Sequence, residues 1–236
     1  MENAASASPL RVLFCGNSYT ACNALPRLVQ GLGESADPPR PMTFEQVTPG
    51  GRTLEQHWSE TGAADAIRKG GWDIVVLQDH SRGPIDHPDS MARHARLLDA
   101  EIRKAGATTV FYLTWARQHL PDDQATLTRA YSQVAHELGA GVAPVGEAWA
   151  AAFAADPALV LHTDDRSHPN PSGSYLAACV FYATFFAASP GGLTHRIEGT
   201  SGEGEPILLV DLPDGRAAFL QRIAWHTVQT FRARQT

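Results

Sequence analysis

The sequence predicts an α/β fold: a three-layer sandwich with helices on both faces of a mostly five-stranded parallel sheet. Two observations favour it. Short apolar runs alternate with amphipathic stretches of helical spacing along most of the chain. Strands joined by connections of helix length run parallel in one sheet. The 236 residues, 43% of them hydrophobic and 19% charged, suffice for one domain with a sizeable core.

The first half of the chain supplies three predicted strands. Residues 10–15 form an apolar run that ends at Gly16, which allows the backbone a tight exit. Residues 42–47 form a second short strand, and residues 73–78 carry the clearest buried one, Ile-Val-Val-Leu after a Gly-Gly-Trp turn. Amphipathic patterns between and after these strands predict helices at 21–33, 53–69 and 89–105, with a loop at 81–89.

The second half adds two strands, at 108–113 and 141–145. The segment 189–213 is rich in glycine and proline, and we expect an excursion there with an edge strand at 207–210. Helices are predicted at 122–139, 147–155, 170–186 (started by an Asn-Pro pair) and 214–232.

Residues 10–236 are expected to form this single domain, after a disordered tail at 1–9. That tail lacks the basic start and apolar core of a secretory signal, and no apolar run approaches the roughly 18 residues of a membrane helix. Three cysteines in apolar stretches indicate reduced, structural thiols and hence a cytoplasmic protein: Cys15, Cys22 and Cys179.

Charge and motifs restrict the partners. The net charge is −6 and the 19 lysines and arginines are scattered, which disfavours nucleic acid and anionic membranes as partners. The sequence has no Gly-x-Gly-x-x-Gly after the first strand, no Walker-type loop and no Gly-x-Ser-x-Gly elbow. We therefore expect no cofactor and no resident metal ion, and the sequence leaves the oligomeric state open.

Four residues directly follow predicted strands: Ser18, Gly51, Gln78 and Trp115. Because the carboxyl ends of parallel strands share one edge, and ligands bind beyond that edge, these residues mark a candidate site. Ser18 lies at a strand-to-helix turn beside a helix N-terminus, which suits the stabilisation of negative charge. The simpler interpretation is that Asn17 or Ser18 only caps the helix.

A second polar stretch lies near the other end of the chain. Asp165 and His168 are three residues apart, so the carboxylate can reach one imidazole nitrogen and leave the other free to accept a serine proton. Two alternatives remain open here. The stretch could be a polar loop with a helix cap, or a metal site that uses His162, Asp164, Asp165 and His168.

Together these stretches resemble the SGNH (GDSL-like) hydrolases over about residues 10–187. The first block of that family, Gly-Asp-Ser or Gly-Asn-Ser, matches Gly16-Asn17-Ser18. Its last block, Asp-x-x-His, matches Asp165 and His168, and its second-block glycine is best matched by Gly51. The resemblance implies a flavodoxin-like sheet and a serine esterase.

In that family the serine is the nucleophile, so the resemblance makes Ser18 the nucleophile, His168 its base and Asp165 the residue that orients the base. It also implies an oxyanion hole built from the N–H of Ser18, the N–H of Gly51 and a side-chain amide of the third block.

The third block departs from the family pattern. Gly-x-Asn-Asp is replaced by Leu77-Gln78-Asp79-His80, as in a subgroup with Leu-Gln at this place. We favour Gln78 as the third oxyanion donor, because its amide ends the third strand, and His80 is the alternative. Tyr19, His80 and Trp115 are weaker candidates for substrate binding.

The range of the family implies an O-acetyl group on a carbohydrate, or a small acyl ester, as the substrate. An acyltransferase would need the same triad, and a binding protein on the same fold could have lost activity. A metal-dependent hydrolase at the His162–His168 cluster is a further alternative.

Overall fold

The computed structural model describes residues 8–200 and 202–235, and it contains a five-stranded parallel sheet. Most of the tail predicted at 1–9 lies outside the described residues. The sheet strands are β1 (Leu10–Cys15), β2 (Met42–Val47), β3 (Ile74–Leu77), β4 (Thr108–Tyr112) and β5 (Gly141–Ala143), and their order in the sheet is β2-β1-β3-β4-β5.

Helices cover both faces of this sheet, which confirms the predicted α/β sandwich. Successive side chains of a strand point to opposite faces, so Val12 and Phe14 of β1 pack in one core while Leu13 and Cys15 pack in the other. The helices are α1 (Ser18–Ala21), α2 (Leu25–Glu34), α3 (Leu54–Ser59), α4 (Ala63–Lys69), α5 (Gly83–Asp86), α6 (Pro88–Lys104), α7 (Asp123–Leu138), α8 (Val145–Ala155), α9 (Pro171–Phe186) and α10 (Asp214–Ala233).

The two cores differ in the helices that supply them. Helices α2, α8, α9 and α10 pack against the first face, and α3, α4, α6 and α7 pack against the second. Helix α9 is apolar on nearly all sides and buried along most of its length, as its sequence predicts. No helix in the described part of the chain combines the length and apolar character that crossing a bilayer requires.

The order of the strands determines where a crevice opens at the edge of the sheet. The chain leaves β1 to add β2 on one side, and it returns to add β3 on the other side of β1. This reversal is a topological switch point, where the connections diverge and leave a crevice beyond the carboxyl ends of β1 and β3. Ser18 follows β1 directly and therefore lies at that crevice.

Three predicted elements differ in the structure. The helix expected at 53–69 is split into α3 and α4, because Gly62 adopts a φ of +79° that a continuing helix does not allow. The predicted loop at 81–89 contains the short helix α5. The predicted edge strand does not join the main sheet. It forms a separate antiparallel pair, β6 (Arg196–Thr200) with β7 (Pro206–Asp211).

Candidate active site

Ser18 opens helix α1, and the residue before it provides the helix cap. Asn17 has an extended backbone, and its side-chain oxygen accepts the N–H of Tyr19 at 3.1 Å. The capping role expected of either residue thus belongs to Asn17. The hydroxyl of Ser18 is therefore not used for capping and is free to contact another side chain.

The hydroxyl of Ser18 meets the imidazole of His168. Ser18 Oγ lies 2.8 Å from His168 Nε2, although the two residues are 150 positions apart in the chain. On the other side of the ring, His168 Nδ1 is hydrogen-bonded to Asp165 Oδ2. The structure therefore brings Ser18, His168 and Asp165 together in the order that a serine nucleophile, its base and an orienting acid require.

The carboxylate of Asp165 is held in its ionised form. Burial acts to raise its pKa, but hydrogen bonds from His168, Ser167 and Thr163 outweigh burial and keep the pKa well below its usual range. The second carboxylate oxygen accepts the backbone N–H groups of Ser167 and His168, each at 2.9 Å. An ionised Asp165 keeps the His168 proton on Nδ1, so Nε2 presents its lone pair to Ser18.

The loop that carries the acid and the base is fastened to the end of β4. Trp115 Nε1 donates to the Ser167 carbonyl at 2.9 Å, and the N–H of Gln118 donates to the Arg166 carbonyl at 2.9 Å. Within the loop, the N–H of Thr163 donates to the carbonyl of His168 at 2.9 Å. These bonds fix the position of His168 relative to the sheet edge and hence to Ser18.

Trp115 and Tyr19 are buried, although Trp115 still lines a cavity together with Arg117 and His162. Their rings stack at a centroid distance of 4.5 Å, and Trp149 stacks on the far side of Trp115 at 4.0 Å. Tyr19 also meets the His168 ring edge-on at 5.5 Å and exchanges a 2.7 Å hydrogen bond with Ser167. Both residues are bonded to Ser167 and so support the loop that carries Asp165 and His168, while their part in substrate binding stays a prediction.

The backbone N–H groups of Ser18 and Gly51 lie at this edge, and neither has an acceptor among the described residues. Gly51 has a φ of +70°, a conformation that favours glycine, and its loop directly follows β2. Unpaired N–H donors next to a nucleophile are the groups that stabilise a developing oxyanion.

Comparison with solved structures identifies the family. A protein from Slackia heliotrinireducens, assigned to the SGNH hydrolases, is 32% identical in sequence, and the match covers 75% of this chain and 99% of that protein, with a TM-score of 0.66. The chain belongs to the SGNH hydrolases. No family model and no curated protein matches the chain.

Two further structures share the fold of this SGNH hydrolase at lower identity. A DUF4886 family protein from Bacteroides uniformis is 18% identical, with a TM-score of 0.70 over 94% of this chain and 95% of its own. A catalytic mutant of an acetylxylan esterase from Geobacillus stearothermophilus is 16% identical, with a TM-score of 0.57 over 76% of this chain and 94% of its own.

Gln78 does not face the cleft of this SGNH hydrolase, contrary to the prediction that it supplies the third oxyanion donor. Its side chain is fully buried. The amide nitrogen donates to Asn17 Oδ1 at 2.8 Å and to the Asp79 carbonyl at 2.7 Å, so both of its protons are used. The amide oxygen accepts the Asn17 N–H at 3.0 Å and the Thr20 hydroxyl at 2.8 Å. Gln78 therefore fixes the turn that presents Ser18.

His80, the alternative donor, is half-buried beyond the end of β3. Its Nδ1 accepts the N–H of Arg82 at 3.4 Å, which leaves the proton of the neutral ring on Nε2. Burial lowers the pKa of His80, so the ring is neutral at pH 7. The hydrolase thus has a ring N–H donor at the place in sequence where the family carries its third block.

His57 is a site residue that the sequence analysis did not single out. It is buried in α3, and its Nε2 lies 2.8 Å from the carbonyl of Gly16, two residues before Ser18. Its Nδ1 lies 2.8 Å from the hydroxyl of Thr61. A carbonyl only accepts, so Nε2 carries the proton and the neutral ring joins α3 to the Ser18 turn. A polar residue on the inner side of a helix was the available sequence signal.

We expect His57 to make the stability of the hydrolase depend on pH. Burial lowers the pKa of His57 from 6.5 to about 4. Between these two pH values, His57 is protonated in the unfolded chain and neutral in the folded protein. The contribution of His57 is fully present above pH 6.5 and is lost as pH falls to about 4, a decrease of roughly 3 kcal/mol in the free energy of unfolding.

Urea unfolding between pH 7 and pH 4 measures this effect. His57→Gln should flatten the decrease over this range, while His136→Gln, at an exposed position of α7, should leave it unchanged. If the free energy of unfolding fell equally with pH in the original protein and in His57→Gln, the pH dependence would not come from His57.

The four residues of the alternative metal site do not converge. His162 points to the carbonyl of Ala116, at 3.3 Å, and packs edge-on against Trp149. His168 and Asp165 are bonded to each other. Within residues 8–200 and 202–235, no three histidine, cysteine, aspartate or glutamate side chains are placed to hold one ion together.

Proposed function

We propose that this SGNH hydrolase is a serine esterase that cleaves its substrate through an acyl-enzyme on Ser18. The observation that carries the proposal is the 2.8 Å contact between Ser18 Oγ and His168 Nε2, with Asp165 bonded to the other ring nitrogen. Serine needs such a base to become a nucleophile.

The reaction then proceeds in two halves. His168 Nε2 takes the hydroxyl proton of Ser18 as Oγ attacks the ester carbonyl carbon, and the carbonyl oxygen becomes an oxyanion. The intermediate collapses, the bond to the alcohol breaks, and His168 gives its proton to the departing oxygen. Water repeats the sequence on the acyl-enzyme and releases the acid and Ser18.

The oxyanion hole consists, in this proposal, of the N–H groups of Ser18 and Gly51 and the Nε2–H of His80. The two backbone donors have no acceptor in the described part of the chain. His80 takes the role predicted for Gln78, because the amide protons of Gln78 are already used. One donor of this kind contributes about 10²–10³ to the rate.

The substrate class is a small acyl ester or an O-acetyl group on a carbohydrate. The similarity of the fold to a protein named acetylxylan esterase supports an acetyl group as the first one to test. An acyltransferase is the second candidate, because the same triad serves when a sugar or amine replaces water. Products formed with and without an acceptor distinguish the two activities.

Labelling with a small fluorophosphonate tests the nucleophile. We expect one adduct by intact mass, mapped to the peptide that contains Ser18, and no adduct in Ser18→Ala. Ser59→Ala, at an exposed position of α3, serves as the matched control and should label normally. A folded protein that gains no adduct, or an adduct elsewhere, would sink the proposal and favour a binding protein on this fold.

A further inference from the structure

Arg117 is a half-buried cation with few partners. Its Nη2 donates to Ser81 Oγ at 3.0 Å, and its Nε is buried without an acceptor. No carboxylate of the described residues lies within ion-pair distance of its guanidinium, in contrast to nearby Arg82, which is paired with Asp86. Buried N–H groups of charged side chains are costly to leave unpaired, so this arrangement suits an acceptor from outside the chain.

The order of the strands places this cation beside the catalytic serine. Gly51, Ser18, Ser81 and Arg117 follow β2, β1, β3 and β4, which are consecutive in the sheet. The ends of β1 and β4 are two strand spacings apart, about 10 Å. The side chain of Arg117 reaches back to Ser81, beyond β3, so its guanidinium lies on the side of Ser18 opposite Gly51.

The charge acts on residues that adjoin the triad. Burial first, and Arg117 second, lower the pKa of His80. Burial raises the pKa of Tyr19, and the charge of Arg117 opposes that rise. The carboxylate of Asp165, on the same edge, is already engaged by His168 and by two backbone N–H groups. It therefore leaves the charge of Arg117 unpaired.

We propose that Arg117 binds a carboxylate carried by the substrate, so that the preferred esters of this enzyme are anionic. The inference rests on the proposed esterase function and names a substrate class for the same site. A guanidinium matches a carboxylate in shape and charge, and its planar fork can donate two parallel hydrogen bonds. Arg117 and Trp115 also line a cavity of about 470 Å³, and none of Ser18, Asp165 and His168 lines it.

Two fluorophosphonates of equal chain length test the proposal, one ending in a carboxylate and the other in a carboxamide. The readout is the ratio of their rate constants for labelling Ser18. We expect the original protein to favour the carboxylate by about tenfold or more, and Arg117→Gln to lower the ratio of the two rate constants to about one. Arg117→Lys, which keeps the charge and loses the fork, should retain part of the preference.

Arg129→Gln is the matched control, because Arg129 is an exposed arginine of α7 that contacts Thr126. It should leave the ratio unchanged. An original protein with no preference, or an Arg117→Gln variant that slows both probes equally, overturns the proposal. If neither probe labels Ser18 in the original protein, the esterase proposal itself fails. The two failures are thus distinct.

Discussion

His168→Ala is expected to lower kcat for ester hydrolysis by about 10⁶, the size of the loss when a triad loses its base. Without the imidazole, no other group of the described residues lies within hydrogen-bond distance to take the proton that Ser18 Oγ now shares with His168 Nε2. Asp165→Asn should cost less, about 10⁴, because the imidazole remains and loses only its orientation and its charged partner.

Initial rates on an activated acetyl ester give kcat for both variants, and thermal unfolding shows whether the variants fold. His136→Ala, at an exposed position of α7, should keep full activity. An undiminished rate in folded His168→Ala would refute the assigned triad and with it the acyl-enzyme on Ser18.

Gln78→Leu is expected to reduce the free energy of unfolding by about 3 kcal/mol. The substitution keeps the volume roughly but leaves the N–H of Asn17 and the hydroxyl of Thr20 buried without their acceptor. Each buried polar group left unpaired costs about 1–3 kcal/mol. The Tm should fall by roughly 6–12 °C for a chain of this length.

Differential scanning calorimetry with a matched exposed variant, Gln133→Leu on α7, measures this loss. Measured together with kcat, the stability of Gln78→Leu also decides between two roles for Gln78. If Gln78 is a scaffold residue, the substitution lowers the stability. If it donates to the oxyanion, the substitution lowers kcat by about 10²–10³ and leaves the stability unchanged. The second outcome would restore the prediction made from the sequence.

The sheet was predictable because its strands are buried on both faces and are bounded by turn residues. The run Ile-Val-Val-Leu of β3 is an example. The carboxyl ends of parallel strands share one edge, so Ser18 and Gly51 could be placed together without coordinates. The pairing of Asp165 with His168 was predictable too, since it acts within one short loop.

The remaining features depend on contacts between distant residues. Nothing local separates a glutamine that faces a cleft from one whose amide is used in the core, and Gln78 became distinguishable only through Asn17 and Thr20. The contact of His57 with the Gly16 carbonyl spans 41 residues. The division between α3 and α4 depends on the φ of one glycine, Gly62, which a regular apolar pattern does not reveal.

The bond between Ser18 and His168 joins residues that are 150 positions apart in the chain. Ser18 directly follows β1. The loop of His168 is bonded to the segment after β4, because Trp115 donates to the Ser167 carbonyl. The distance that matters for proton transfer is thus set by the central strands of the sheet. The rate of turnover should therefore depend on the folding of the whole domain. Partial opening at β4 should abolish activity before the chain unfolds globally.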